Sequence, residues 1–237
     1  MYHIASVSWD KDSLATLLFL IGSGAPLDEV VFYDTGMEFE AIYSMRDMML
    51  PILEETGIKY TEIKPEIPFL YKMFEKPVNG KNGFHYGYSW CGGRCRWGTT
   101  EKIKTLDKYA EERQAVMYVG IAADETQRLE KERKPYKRFP LAENGITEEA
   151  ALSMCYEHGF EWVENGVRLY EVLDRVSCWC CANKNLKELK NIYTHLPEYW
   201  ERLKGLQSKT ERPMKGVGKS VFDLEIRFEK EREARNG

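Results

Sequence analysis

The sequence predicts an α/β fold: a parallel sheet flanked by helices, followed by a helical C-terminal part. Two observations predict it. Short β-branched or aromatic runs alternate with amphipathic helical segments over the first half of the chain, the pattern of βα units. From Thr147 onward the apolar residues recur at helical spacing only. The 237 residues, 43% hydrophobic and 30% charged, suffice for a sizeable core.

Tyr2 to Val7 reads as the first strand, and Leu14, Leu17, Leu18 and Ile21 give the following helix its apolar face. Val30 to Tyr33 reads as a second, buried strand. Ile42 to Leu53 reads as a helix closed by Thr56-Gly57, and Tyr60 to Ile63 as a third strand. Pro65 to Gly98 is rich in Gly, Pro and aromatics. It reads as a long active-site loop with one short helix near Phe69 to Phe74. Glu101 to Tyr109 reads as a helix leading into a fourth strand, Ala115 to Ile121. Thr147 is an N-cap candidate, with Glu148 and Glu149 in the first turn. Leu186 to Leu196, Pro197 to Leu203 and Ser220 to Arg235 supply the last helices. The expected organisation is an α/β core over 1–145, including the 65–98 loop. A helical part over 146–237 carries a cysteine cluster and completes one domain with the core.

In such sheets ligands bind at the carboxyl ends of the strands. Three segments follow strands: Ser8-Trp9-Asp10-Lys11-Asp12-Ser13, Asp34-Thr35-Gly36 and Ala122-Ala123-Asp124. A strand that turns through Ser and Lys into a helix directs backbone N–H groups and the positive helix end at one point, which suits a phosphate. Further on, Arg128 carries a guanidinium able to hold two oxygens of an anion, although Glu125 and Arg128 at i, i+3 also read as a surface ion pair.

These residues resemble the ATP-pyrophosphatase and phosphoadenosine-phosphosulfate (PAPS) reductase superfamily. Ser8 to Ser13 is similar to its Ser-Gly-Gly-x-Asp-Ser loop, with Trp9 and Asp10 in place of the two glycines. Asp34-Thr35-Gly36-Met37-Glu38-Phe39 resembles its Asp-Thr-Gly-x-x-Phe element, and Glu125-Thr126-Gln127-Arg128 its Glu-Ser-x-x-Arg element. Phe139-Pro140-Leu141, Ile146 to Glu149 and Pro197 to Trp200 extend the likeness from about Val7 to Leu203. The resemblance implies a Rossmann-like, adenine nucleotide alpha-hydrolase-like fold. It implies ATP or PAPS bound by Ser8, Asp10, Lys11, Asp12, Ser13, Asp34, Thr35, Gly36, Glu125 and Arg128, with Mg as a possible companion ion. Lys11, Asp12 and Arg128 are the expected catalytic groups. The departure at Asp10 implies either a carboxylate that points away from the nucleotide or one that shares a cation with it.

Six cysteines without a secretory leader point to thiol or metal chemistry in a cytoplasmic chain. Cys91-Gly92-Gly93-Arg94-Cys95 and Cys178-Trp179-Cys180-Cys181 form two close pairs able to hold zinc or an iron–sulfur cluster through Cys91, Cys95, Cys178 and Cys181. Cys180 is then a spare thiol or a reactive sulfur carrier, and Cys155 a small buried hydrophobe. The resemblance favours a 4Fe–4S cluster over zinc, because Ser-Cys-Trp-Cys-Cys-Ala is similar to the Cys-x-x-Cys element of the DNA-phosphorothioation branch. The nucleophilic C-terminal cysteine of assimilatory PAPS reductases is missing, since no cysteine follows Cys181.

The expected activity is nucleotide-dependent activation followed by sulfur transfer to a nucleic acid or small molecule. The sulfur would come from a cysteine desulfurase or another thiol donor; the sequence leaves the oligomeric state open, with a homodimer among the options. The alternatives are a phosphosulfate reductase and a non-catalytic nucleotide- or metal-binding partner in a modification or defence system. A net charge of −4 excludes a grossly basic nucleic-acid binder. The Lys131 to Arg138 run still offers a local path for a phosphate backbone. No apolar run spans a bilayer. Of the four histidines, His85, in the loop before Cys91, is the best placed for chemistry.

Overall fold

The computed structural model describes residues 1–80, 83–93, 95–132 and 134–236. In chain order the elements are β1 (His3–Val7), α1 (Lys11–Gly22), β2 (Glu29–Tyr33), α2 (Glu40–Glu55), β3 (Lys59–Ile63), α3 (Phe69–Phe74), β4 (Pro77–Gly80) and β5 (Gly83–Tyr86). A π-type helical turn, Arg96–Thr100, leads into α4 (Glu101–Glu112). There follow β6 (Val116–Val119), α5 (Thr126–Leu129), β7 (Lys137–Arg138), α6 (Pro140–Glu143), α7 (Glu148–Glu157), β8 (Val163–Glu164) and β9 (Val167–Arg168). The chain ends in α8 (Leu169–Val172), α9 (Leu186–His195), α10 (Pro197–Gln207) and α11 (Val221–Asn236).

The chain divides into two compact units, each made of discontinuous segments. The first holds residues 1–34, 38–64 and 102–162; the second holds 35–37, 65–101 and 163–237. These units run differently from a division at residue 145. The 65–98 segment clusters with the C-terminal helices, and 146–162 stays with the sheet. The reason for the latter is local: α7 packs on α1, where Cys155 Sγ donates to the Lys11 carbonyl at 3.4 Å.

The first unit is a Rossmann-like five-stranded parallel sheet in the order β3-β2-β1-β6-β7. All five residues of β2 are buried, as befits a strand covered on both faces. Its Glu29 is fully enclosed, and there it accepts hydrogen bonds from Thr61 and Tyr109 and pairs with Lys59. That is how a carboxylate survives in a core. Ala41, Ile42, Met45, Met49 and Leu53 give α2 its buried face at i, i+3/i+4 spacing. Two features of this unit escape periodicity. One is the two-residue edge strand β7, too short to register; the other is the extension of α4 to Glu112.

The second unit is built around α9, α10 and α11. The side chain of Asn185 accepts the Glu188 N–H, and Glu188 reaches back to the Asn185 N–H, a capping box that starts α9. Tyr193, Trp200 and Phe228 meet in an aromatic cluster with ring centroids 5.4–5.8 Å apart. Buried Gln207 accepts from the Trp90 indole and from the backbone N–H groups of Met214 and Val221, tying the preceding loop to α10 and α11. The expected irregular loop is partly ordered: it carries α3, the β4–β5 ribbon and the π-type turn. Among the described residues no helix is long and apolar enough to cross a membrane.

Candidate functional site

The strand order places a crossover between β1 and β6. From β1 the chain runs to β2 and β3 on one side, then returns to β6 on the other. Ligands of open α/β sheets bind outside the carboxyl ends of strands at such a point. The loop after β1, residues 8–13, and the turn after β6, residues 120–125, flank it. Asp34 follows β2 on the neighbouring strand. Gly120 makes this closeness possible, because a Cβ there would stand 2.7 Å from the Asp12 carbonyl and the Ser13 nitrogen.

The β1 loop holds itself together. Asp10 is the N-cap of α1, and its carboxylate accepts the Ser13 N–H at 3.0 Å. The Ser8 N–H donates to Ser13 Oγ at 3.1 Å. The Asp10 carboxylate thus turns back on its own helix and occupies one of the N–H groups at the start of α1. Trp9, at the first glycine position of the resembling loop, has φ = +60°, the left-handed backbone that glycine adopts without strain. Its indole is wholly buried, packed on Phe32 and Tyr60. Trp9 therefore fills core volume while keeping the backbone of the loop.

Lys11 is directed inward. Its ammonium donates to Asp12 at 2.8 Å and to Glu148 of α7 at 2.7 Å. Burial alone would push its pKa down, but Asp12 and Glu148 outweigh that and hold it above the usual lysine value. The Asp12 carboxyl is pushed up to about 7, first by burial and then by Asp10, against the pull of Lys11. Two carboxylates crowd one ammonium at the start of α1. Cys155 beneath them is pushed up to about 12 by burial, with Asp10 and Asp12 adding to it, so it stays a protonated packing residue, as expected.

Asp34 accepts the Tyr43 phenol at 2.7 Å, and burial together with that carboxylate pushes the Tyr43 pKa upward. In the β6 turn Glu125 accepts the Ala122 N–H and pairs with Arg128 at 2.6 Å, so the i, i+3 ion pair forms. Arg128 remains half-exposed. Tyr43 and Glu148 are the residues that sequence reasoning missed here. Both contacts join separate elements, and only Glu148 left a trace, as a first-turn acid of α7.

Among the described cations of the Lys131 to Arg138 run, three are paired with carboxylates. Lys134 pairs with Glu111, Lys137 with Asp107 and Glu132, and Arg138 with Glu143. Arg133 of this run, and Arg94 between the first two cysteines, lie outside the described residues.

In the second unit, Thr35 Oγ1 lies 3.7 Å from Cys178 Sγ, and the Trp179 N–H donates to the Met37 carbonyl. Gly36, at φ = +73°, makes the turn between them. The two cysteine loops are tied together. The Gly93 N–H donates to Asn183 Oδ1 at 3.2 Å, and Asn183 Nδ2 returns a bond to the Gly93 carbonyl at 2.7 Å. Cys95 Sγ accepts the Gly98 N–H at 3.3 Å, and a Cβ on Gly98 would press to 3.1 Å from that sulfur. Burial nonetheless pushes the Cys95 thiol up. Trp97, two residues on, keeps a buried indole N–H with no partner among the described residues. No disulfide forms, and Cys91, Cys95, Cys178 and Cys181 are half-buried. Cys180 is buried, which in this conformation suits packing better than a carrier thiol. Among the described residues no three His, Cys, Asp or Glu side chains are gathered into a metal site. The donor chemistry and the glycine-lined seat of Cys95 fit a thiolate-bound metal, but the four sulfurs do not stand preassembled.

No protein-family model matches the chain. It is 26% identical over 220 residues to the uncharacterized protein MJ0066 of Methanocaldococcus jannaschii, an alignment covering 84% of this chain and 40% of that protein. The chain thus spans about two fifths of the length of that relative.

Proposed function

We propose that the protein is an enzyme that binds an adenine nucleotide at the carboxyl ends of β2, β1 and β6, activates an acceptor with it and transfers sulfur to that acceptor. The observation that carries this reading is the convergence of the Ser8–Ser13 loop, Asp34 and the Glu125–Arg128 turn on adjacent parallel strand ends beside the β1/β6 crossover. Arg128, half-exposed, would engage phosphate oxygens in exchange for Glu125. Asp12, Asp34 and Glu125 outnumber Lys11 and Arg128, so the nucleotide would arrive with a divalent ion such as Mg. In the superfamily that the sequence resembles, an acceptor oxygen attacks the α-phosphorus and pyrophosphate leaves. A sulfur nucleophile from an external donor then displaces AMP. Cys91, Cys95, Cys178 and Cys181 would hold a 4Fe–4S cluster, which would supply electron-transfer chemistry.

Calorimetric titration with ATP and Mg tests the nucleotide part. Arg128→Ala should weaken binding by about 1.5–3 kcal/mol, the range for a charged hydrogen bond. Asp10→Gly should tighten binding several-fold, since a like charge at contact distance costs on the order of 1 kcal/mol even in water. It should also cost the fold only a few tenths of a kcal/mol, because glycine is a tolerable N-cap. Weaker binding by Asp10→Gly would mean that Asp10 holds the cation and belongs to the site. No binding of ATP, AMP or PAPS would end the proposal, and sulfite release from PAPS would replace sulfur transfer with reduction.

The cysteine part has its own test. Protein purified without oxygen should contain iron and acid-labile sulfide, and Cys→Ser at 91, 95, 178 or 181 should lower both the metal content and the melting temperature. Cys155→Ser and Cys180→Ser should leave the metal in place. Full metal content in Cys178→Ser would sink the ligand assignment, and zinc in place of iron would exclude the cluster.

A further inference from the structure

We propose that the β4–β5 ribbon is a stacking platform for unpaired bases of a single-stranded nucleic acid. The inference stands without the nucleotide site; if both hold, the acceptor of the proposed sulfur transfer is a nucleic acid.

Every residue of β5 is exposed, and Phe84 and Tyr86 are 60% and 66% accessible. Alternate strand residues share a face, so both rings stand on one side of the ribbon, opposite Asn79 and Pro77. Their centroids are 5.1 Å apart and the planes nearly perpendicular at 83°. Two large rings held in water on a two-stranded ribbon contribute little to a core, and such a ribbon is marginal alone.

The base of the ribbon is nevertheless fixed. Gly87 donates to the Lys76 carbonyl at 2.7 Å, Tyr88 to that of Lys72 and Ser89 to that of Met73. Gly87, at φ = +67°, passes so close that a Cβ would meet the Met73 oxygen at 2.2 Å. Beneath it Tyr88 stacks on Trp97 with centroids 5.1 Å apart, and Lys76 Nζ lies 5.7 Å from the Tyr88 ring. The rings are therefore presented on a braced element, which limits the entropy lost on binding.

Charge selects the occupant. The second unit carries 20 Lys and Arg against 15 Asp and Glu, a net +5, whereas the first carries 14 against 23, a net −9. From Lys72 to Glu101 the sequence carries five Lys and Arg and only two Glu, of which Lys72 is buried and paired with Glu101. An acidic protein has thus gathered positive charge in the unit that displays the two rings. Aromatic faces with cations around them are the means by which proteins hold single strands without reading sequence. Besides the rings the ribbon offers exposed Pro77, half-buried Val78, Asn79, Gly80, Gly83 and His85, little aliphatic surface for an apolar protein partner.

The test is fluorescence anisotropy of the full chain, without nucleotide, against a labelled oligothymidylate of about 16 residues and a duplex of equal length. The single strand should bind more tightly than the duplex, and more weakly as salt rises. Phe84→Ala/Tyr86→Ala should lose about tenfold or more in affinity. Its melting temperature should not move, and Phe84→Trp/Tyr86→Trp should restore binding. Absence of binding at low salt, equal binding of duplex, or unchanged affinity in the double alanine variant would each overturn the proposal. So would a double variant whose effect is to dissociate a dimer, which would make the ribbon a protein interface.

Discussion

Trp9→Gly, the substitution that restores the first glycine of the resembling phosphate loop, should destabilise the protein by about 1–4 kcal/mol. Two effects oppose each other. Removing a large buried aromatic side chain costs about 3–5 kcal/mol through lost burial and the cavity left behind. Trp9 is wholly buried against Phe32 and Tyr60, so that full cost applies. Against it, a left-handed backbone at a bulky residue stores about 1–2 kcal/mol, which glycine releases. The hydrogen bond from the Trp162 indole goes to the Trp9 carbonyl at 2.7 Å and survives the change. Cavity loss therefore wins. Urea denaturation of both proteins at one pH gives the answer. A variant as stable as the parent would show that strain and burial cancel and that Trp9 is not needed by the core. The contrast with Asp10→Gly is the useful part. The two departures from the resembling loop sit side by side, but one is bound into the core and the other caps a helix.

Much of the fold was legible in the sequence because its strands and helices are strongly patterned. Val30 to Tyr33 reads as a buried strand because every side chain is apolar or aromatic, and β2 is buried throughout. Thr147 reads as an N-cap, and its hydroxyl accepts the Ala150 N–H. The alternation of strands and helices also gave the parallel sheet, and thereby the common edge of three loops. What was not legible depends on contacts between distant residues. The Lys11–Glu148 pair spans 137 residues, and no local pattern distinguishes a lysine that points to a ligand from one that points to a neighbouring helix. The ribbon β4–β5 was hidden because its face is not apolar–polar alternation against a core; it is exposed on both sides. The grouping of segments into two compact units depends on such contacts too. The Gly93–Asn183 clamp joins segments 90 residues apart and draws the 65–101 stretch toward the C-terminal helices.

Lys11→Met should be the other severe substitution, with a loss that depends on pH. The Lys11 side chain is 9% exposed and that of Asp12 is 12% exposed. Removing one partner of a buried pair typically costs about 3–5 kcal/mol, because a charge is left without compensation. Glu148 is nearly half-exposed, so water takes over its share and the penalty falls on Asp12. Asp12 can escape it by taking up a proton. Its pKa already stands at about 7 in the folded protein, above the ordinary 3.8, from burial and from Asp10. A carboxyl raised on folding binds its proton more tightly in the native state. Its contribution to stability is therefore complete below about pH 4 and is lost as pH rises through about 7. Without Lys11 the folded-state value rises further, and the window of lost stability extends to higher pH. The variant should consequently fall short of the parent by about 3–5 kcal/mol at pH 8 and by much less at pH 5. Lys11→Met/Asp12→Asn should recover most of the deficit at pH 8, since it removes the stranded charge along with its partner. Equal losses at the two pH values, or a double variant no more stable than the single, would show that Lys11 stabilises through its packed methylenes and not through the charge it shares with Asp12.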